Sequence, residues 1–80
     1  MIDKIVEKKV IGVKQCLKHL KNDEGKVLYV AKDADARLIS KVIRLAEEKN
    51  IKIVEIPTMI ELGKISGIDV KSAATLTLNN

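Results

Sequence analysis

The chain has almost no aromatic side chains: among its 80 residues there is no Phe, no Trp and a single tyrosine, Tyr29. Its core therefore has to be aliphatic, built from many Leu, Ile and Val side chains that each contribute roughly 1.5 to 3 kcal/mol when fully buried. The same absence disfavours a sheet that grips single-stranded nucleic acid by stacking bases on exposed rings, because Tyr29 sits mid-strand with no second ring beside it. Cysteine is as scarce. Cys16 alone permits no internal disulfide, and one cysteine with one histidine, His19, rules out a structural zinc site of the usual four-ligand kind. A reducing compartment fits. No apolar run approaches the roughly 18 residues of a membrane span, and residues 1–9 carry charges where a signal peptide needs its hydrophobic region. The expectation is a cytoplasmic protein with no membrane partner.

What is present describes one small globular domain spanning residues 1–80. Hydrophobic residues make up 46% and charged residues 32%, an ordinary globular balance. A chain this short buries only about 60% of its unfolded surface, enough for one core and no more. The formal charge of +4 is modest but lopsided. Lys4, Lys8, Lys9, Lys14, Lys18 and Lys21 face only Asp3 and Glu7 in the first 21 residues, so the N-terminal quarter carries the whole excess and the remainder balances. Such asymmetry points to an anionic partner met by that quarter, with nucleic acid the commonest choice; the alternative is a solvated lysine face.

Periodicity then places the elements. Ile2, Ile5, Val6 and Lys9 fall at helical spacing, which predicts a short helix over residues 1–10. Val10 and Ile11 make a one- or two-residue strand before Gly12. A second helix follows, in which Val13, Cys16, Leu17 and Leu20 form an apolar stripe and Lys14, Lys18 and Lys21 share an outward side. Residues 22–26 read as a turn, and 27–32 as a buried strand. Asp33 or Asp35 should cap the next helix, whose apolar face is Leu38, Ile39, Val42, Ile43, Leu45 and Ala46 and which ends near Asn50. Residues 51–56 form a strand stopped by Pro57, which cannot donate to a ladder. Thr58 is an N-cap for a short helix holding Met59, Leu62 and Ile65, closed by Gly67. Residues 74–78 are the last strand. Helices alternating with strands imply an α/β fold, a three-layer α/β/α sandwich around a small four-stranded sheet; the sheet is expected to be mixed, since a short connection precedes the last strand.

Catalytic material is thin. Cys16 lies on the apolar stripe and reads as a small core residue, His19 as a solvated imidazole. Asp33 and Asp35 follow a strand end, where carboxylates hold metals or cap helices; capping is the simpler reading. No glycine-rich phosphate loop follows either strand. The protein is read as a non-enzyme without metal or cofactor. What remains is a helix that opens at Gly12, presenting unpaired N–H groups and a positive dipole end beside Lys14, Gln15 and Lys18. The absent side chain at Gly12 lets a phosphate or base edge approach the backbone. Lys and Gln supply donors to guanine O6 and N7 or to phosphate oxygens.

Three stretches in order, Gly12-Val13-Lys14-Gln15-Cys16-Leu17-Lys18, Val30-Ala31-Lys32-Asp33-Ala34-Asp35, and Leu62-Gly63-Lys64 with Ser66-Gly67-Ile68, resemble the kink-turn-binding ribosomal-protein superfamily. The resemblance covers nearly the whole chain and is strongest to the bacterial YbxF-type branch. It implies an α/β/α sandwich and an RNA ligand, the kink-turn, a duplex interrupted by a short bulge and followed by tandem sheared G·A pairs. The bend exposes guanine edges that ordinary A-form RNA hides. By position, Lys14, Gln15 and Lys18 would contact those guanines, Gly12 would admit the helix tip, and Lys32 would approach backbone phosphate. Asp35 matches an acidic position near the flipped-out bulge nucleotide, and Ile56, Pro57, Thr58 and Met59 match a loop that covers it. Lys14 and Gln15 replace the Asn-Glu of archaeal and eukaryotic relatives, trading defined donor and acceptor geometry for charge. The expected protein is a monomer that binds RNA, ribosomal or riboswitch. The alternative is a ribosome-associated module that docks on protein through residues 56–60.

Overall fold

The structure, a computed structural model, describes residues 4–79. Its elements in chain order are β1 (Lys9–Ile11), α1 (Val13–Lys21), β2 (Gly25–Ala31), α2 (Ala36–Glu48), β3 (Lys52–Ile56), α3 (Met59–Ile65) and β4 (Ala74–Leu78). The strands form one sheet in the order β1-β4-β2-β3. β2 and β3 are parallel, whereas β4 lies antiparallel to both β1 and β2, so the sheet is mixed as expected. It follows that β1, β2 and β3 all run the same way. Each is followed directly by a helix, so α1, α2 and α3 all begin at one end of the sheet, the end where Ile11, Ala31 and Ile56 finish.

Alternation along the strands divides the core in two. Leu28 and Val30 of β2, with Ala74 and Leu76 of β4, pack beneath Cys16 and Leu20 of α1 and Ile39, Val42 and Ala46 of α2. On the other face Ala31 and Ile56 pack with Leu62 and Ile65 of α3 and with Ile5. The second face lacks aliphatic volume from β4, which turns Thr75 and Thr77 inward. Their hydroxyls are satisfied locally. Thr75 Oγ1 lies 2.7 Å from Ser66 Oγ and 3.3 Å from Ser72 Oγ, and Thr77 Oγ1 accepts from the Val27 N–H at 2.9 Å where the β2–β4 register shifts.

The helix expected over residues 1–10 is not found. Met1, Ile2 and Asp3 lie outside the described residues, and residues 4–8 form neither helix nor strand, with a bend at Glu7. Ile5 is buried and its N–H donates to the Ile65 carbonyl at 2.7 Å, while Val6 is 82% exposed. Lys9 already belongs to β1, opposite Thr77. One anchor residue and an edge strand, spaced by chance like a helix face, produce the misleading period. The other helices match their caps. Asp35 is the cap of α2, its Oδ1 accepting from the Arg37 N–H at 2.9 Å, and Thr58 Oγ1 accepts from the Glu61 N–H at 3.1 Å. Gly67, at φ +83°, follows α3 in the left-handed region.

Candidate functional site

The shared sheet end collects residues far apart in sequence. Gly12 sits at the tip of α1 with φ 104° and ψ 149°, a region essentially confined to glycine. Its N–H donates to the Ala74 carbonyl at 2.9 Å, which fixes the tip against β4. A β-carbon built there would meet nothing within 4 Å, so the backbone at this point is open on its outer side. Lys14, Gln15 and Lys18 are all exposed on the first two turns.

The helix starts differ in one respect. α2 is capped by the Asp35 carboxylate and α3 by the Thr58 hydroxyl, whereas α1 has no side-chain cap. Its first N–H groups and dipole therefore keep their positive potential, reinforced by Lys14 and Lys18. This is the arrangement that receives an anion or an electronegative base edge.

Two further loops are fastened together beside it. The Lys32 N–H donates to the Ile56 carbonyl at 2.8 Å, leaving the Lys32 side chain exposed. Asp33 does not cap its own helix. Its Oδ1 accepts from the Met59 N–H at 2.8 Å, so the loop after β2 holds the start of α3. Asp35 caps α2 and also faces the Arg37 guanidinium, at 3.7 Å. Of the residues expected to form a covering loop, Pro57 and Thr58 are exposed, Met59 is half-buried against the second core, and Ile56 is only 5% exposed. The side chain of Ile56 is thus core, and its carbonyl is already held by the Lys32 N–H. The exposed apolar residue of this stretch is Ile60, at 64%.

The structure brings to this end a segment that the sequence reading takes as the connection to the last strand, residues 68–73. The Ala31 N–H donates to the Ala73 carbonyl and the Ser72 N–H to the Met59 carbonyl, both at 3.0 Å. Val70 is 69% exposed and Lys71 is exposed, in the stretch just before Ser72. Gly63 makes this path possible. A β-carbon on Gly63 would come within 2.1 Å of the Val70 carbonyl oxygen, so only glycine lets this segment cross α3 so closely.

Catalytic groups do not assemble. Cys16 is fully buried, and burial pushes its thiol up to about 12, the opposite of an activated nucleophile. His19 is not a free surface imidazole: its Nδ1 pairs with Glu24 Oε1 at the C-terminal end of α1, away from the helix tips. Among the described residues no group of three His, Cys, Asp or Glu side chains is placed to hold a metal ion.

An α/β/α domain with its uncapped basic helix tip and two interlocked loops at one sheet end is a fold class with known members. Residues 4–80 match the Ribosomal protein L7Ae/L30e/S12e/Gadd45 family, and the chain belongs to that family. An "RNA-binding protein TTE2299" from Caldanaerobacter subterraneus subsp. tengcongensis is 45% identical over 73 residues, covering 91% of this chain and 89% of that protein. "RNA-binding protein YbxF" of Geobacillus stearothermophilus is 41% identical over 69 residues, 86% of this chain and 84% of its own. The fold is also that of the "Giardia lamblia 15.5kD RNA binding protein", with a TM-score of 0.84 over 91% of this chain and 62% of that one, at 19% identity.

Proposed function

We propose that this protein is a non-catalytic, single-domain RNA-binding protein that recognises kink-turns with the tip of α1. The observation that carries this is the contrast between helix starts: α1 alone, among α1 to α3, has no side-chain cap, and it is flanked by exposed Lys14, Gln15 and Lys18. The names of relatives 41–45% identical over most of the chain support RNA as the partner. Guanine edges exposed by a sharp bend offer O6 and N7 acceptors to Lys14, Gln15 and Lys18, and Gly12 removes the side chain that would keep the backbone away. Lys32 meets phosphate. The Pro57–Thr58 turn with the exposed Val70 offers an apolar and backbone surface to an unstacked base, and Asp33 holds that turn in place.

Binding the bent form better than the extended one stabilises the bend by differential affinity alone. The test is a gel-shift titration of wild type, Lys14→Ala and Lys18→Ala against one kink-turn RNA. Each variant is expected to bind about ten- to a hundredfold more weakly, roughly 1 to 3 kcal/mol. Wild-type affinity in both variants would remove these side chains from the site.

A further inference from the structure

α2 carries charge that the helix tip of α1 does not use. Arg37, Lys41 and Arg44 fall at i, i+4 and i+7, on the side directly opposite the buried Ile39, Val42 and Ala46, and all three are exposed. Among the described residues Lys41 and Arg44 have no carboxylate within 4.0 Å, and Arg37 faces only Asp35, at 3.7 Å, with its side chain 93% exposed.

Of the three, only Arg37 lies in the first turn, where the helix dipole disfavours a base, and there it faces the capping Asp35 carboxylate. The stripe is continuous with the proposed site, since α2 begins at the same sheet end as α1 and the loop before it carries Lys32. From Arg37 to Arg44 the stripe extends about 10 Å along the helix axis, away from that end.

Resting on the reading of the helix tip as an RNA site, we propose that Arg37, Lys41 and Arg44 form a second contact surface, which holds the phosphate backbone of an RNA stem extending beyond the bend. The stripe has no fork of donors fixed against a partner and no apolar residue between its charges, so it reads charge rather than sequence. Phosphate oxygens meet this requirement along any duplex. Its contribution is affinity and orientation of the stem, with recognition left to α1.

The experiment compares wild type with Arg37→Gln/Lys41→Gln/Arg44→Gln. The RNAs are one kink-turn with stems blunted just outside the G·A pairs, the same kink-turn with extended stems, and a straight duplex of equal length. On the extended RNA the triple variant is expected to bind about tenfold more weakly near 50 mM salt, with the gap closing towards 200 mM and the salt slope shallower by about 2 to 3. On the blunted RNA it should match wild type. Its melting temperature should stay close to that of wild type, because all three side chains are exposed and make no close ion pair.

An unchanged salt slope on the extended RNA would overturn the proposal, as would an equal loss on the blunted RNA. If wild type binds bent and straight RNA equally well, the kink-turn reading fails instead, and the salt slope on the straight duplex still decides the stripe.

Discussion

The carboxylate of Asp33 accepts a hydrogen bond from the backbone N–H of Met59 at 2.8 Å, joining positions 26 residues apart. Asp33 lies in the loop after β2 and Met59 opens α3, so one side chain ties together the loops that follow β2 and β3. Replacing it affects both stability and binding. Asp33→Ala is expected to destabilise the fold by about 1 kcal/mol, the usual cost of losing a helix-start acceptor. In a domain of this size that lowers the melting temperature by about 4 to 8 °C. Thermal unfolding checks the first effect, and Asp33→Asn, which keeps the acceptor oxygen, should recover most of it.

Gly12 makes a different prediction. Its conformation is the obstacle to a side chain, since the space around a β-carbon is empty. Gly12→Ala should cost about 1 to 3 kcal/mol through backbone strain, read from denaturant unfolding. It should also weaken RNA binding beyond that loss, because the new methyl group stands on the open side of the helix tip. An alanine variant of wild-type stability would show that the tip relaxes freely and that the strain argument is wrong.

Gly63→Ala tests close approach in place of backbone conformation. With 2.1 Å between the new β-carbon and the Val70 carbonyl oxygen, residues 68–73 must move off α3. Loss of the Ser72–Met59 and Ala31–Ala73 backbone bonds follows. Faster amide exchange at Ala31 and Ser72 than elsewhere in the sheet is the expected signature. Uniform exchange across the sheet would contradict it.

Cys16 gives the pH dependence. Burial pushes its thiol from the ordinary 9.0 to about 12 in the folded protein, so the unfolded chain loses this proton first. Stability is whole below pH 9 and is lost progressively as pH rises towards 12. The upper bound on this term is about 4 kcal/mol. Tyr29 is raised in the same direction, first by burial and then by the carboxylate of Glu7. Urea unfolding of wild type and Cys16→Ala between pH 8 and pH 11 should show a steeper alkaline decline in wild type. Parallel curves would contradict the assignment. At pH 8 the native thiol should resist alkylation.

Much of this arrangement was legible in the chain. The apolar period of α2 and the β-branched run of β2 are local signals, strong enough to place those elements within a few residues. The family resemblance drew Gly12, Lys14, Gln15 and Lys18 together because they share one short stretch. The N-terminal segment misled for a tertiary reason: pairing of Lys9 with Thr77 and burial of Ile5 against α3 override a spacing that looks helical. The resemblance puts Ile56 in a covering loop, yet its side chain, at the end of β3, faces the second core. The Asp33–Met59 bond and the approach of Val70 to Gly63 were beyond reading, since each joins loops whose meeting is set by sheet order. That order, with β4 inserted between β1 and β2, has no signature in local periodicity.

The central claim is that binding selects a bent RNA, and fluorescence transfer between dyes on the two stems of a kink-turn measures this most directly. Titrating the protein at low magnesium should raise transfer in step with binding, and a straight duplex of the same length should bind far more weakly with no change. Equal affinity for both RNAs, or saturation of the kink-turn without any rise in transfer, would contradict the account.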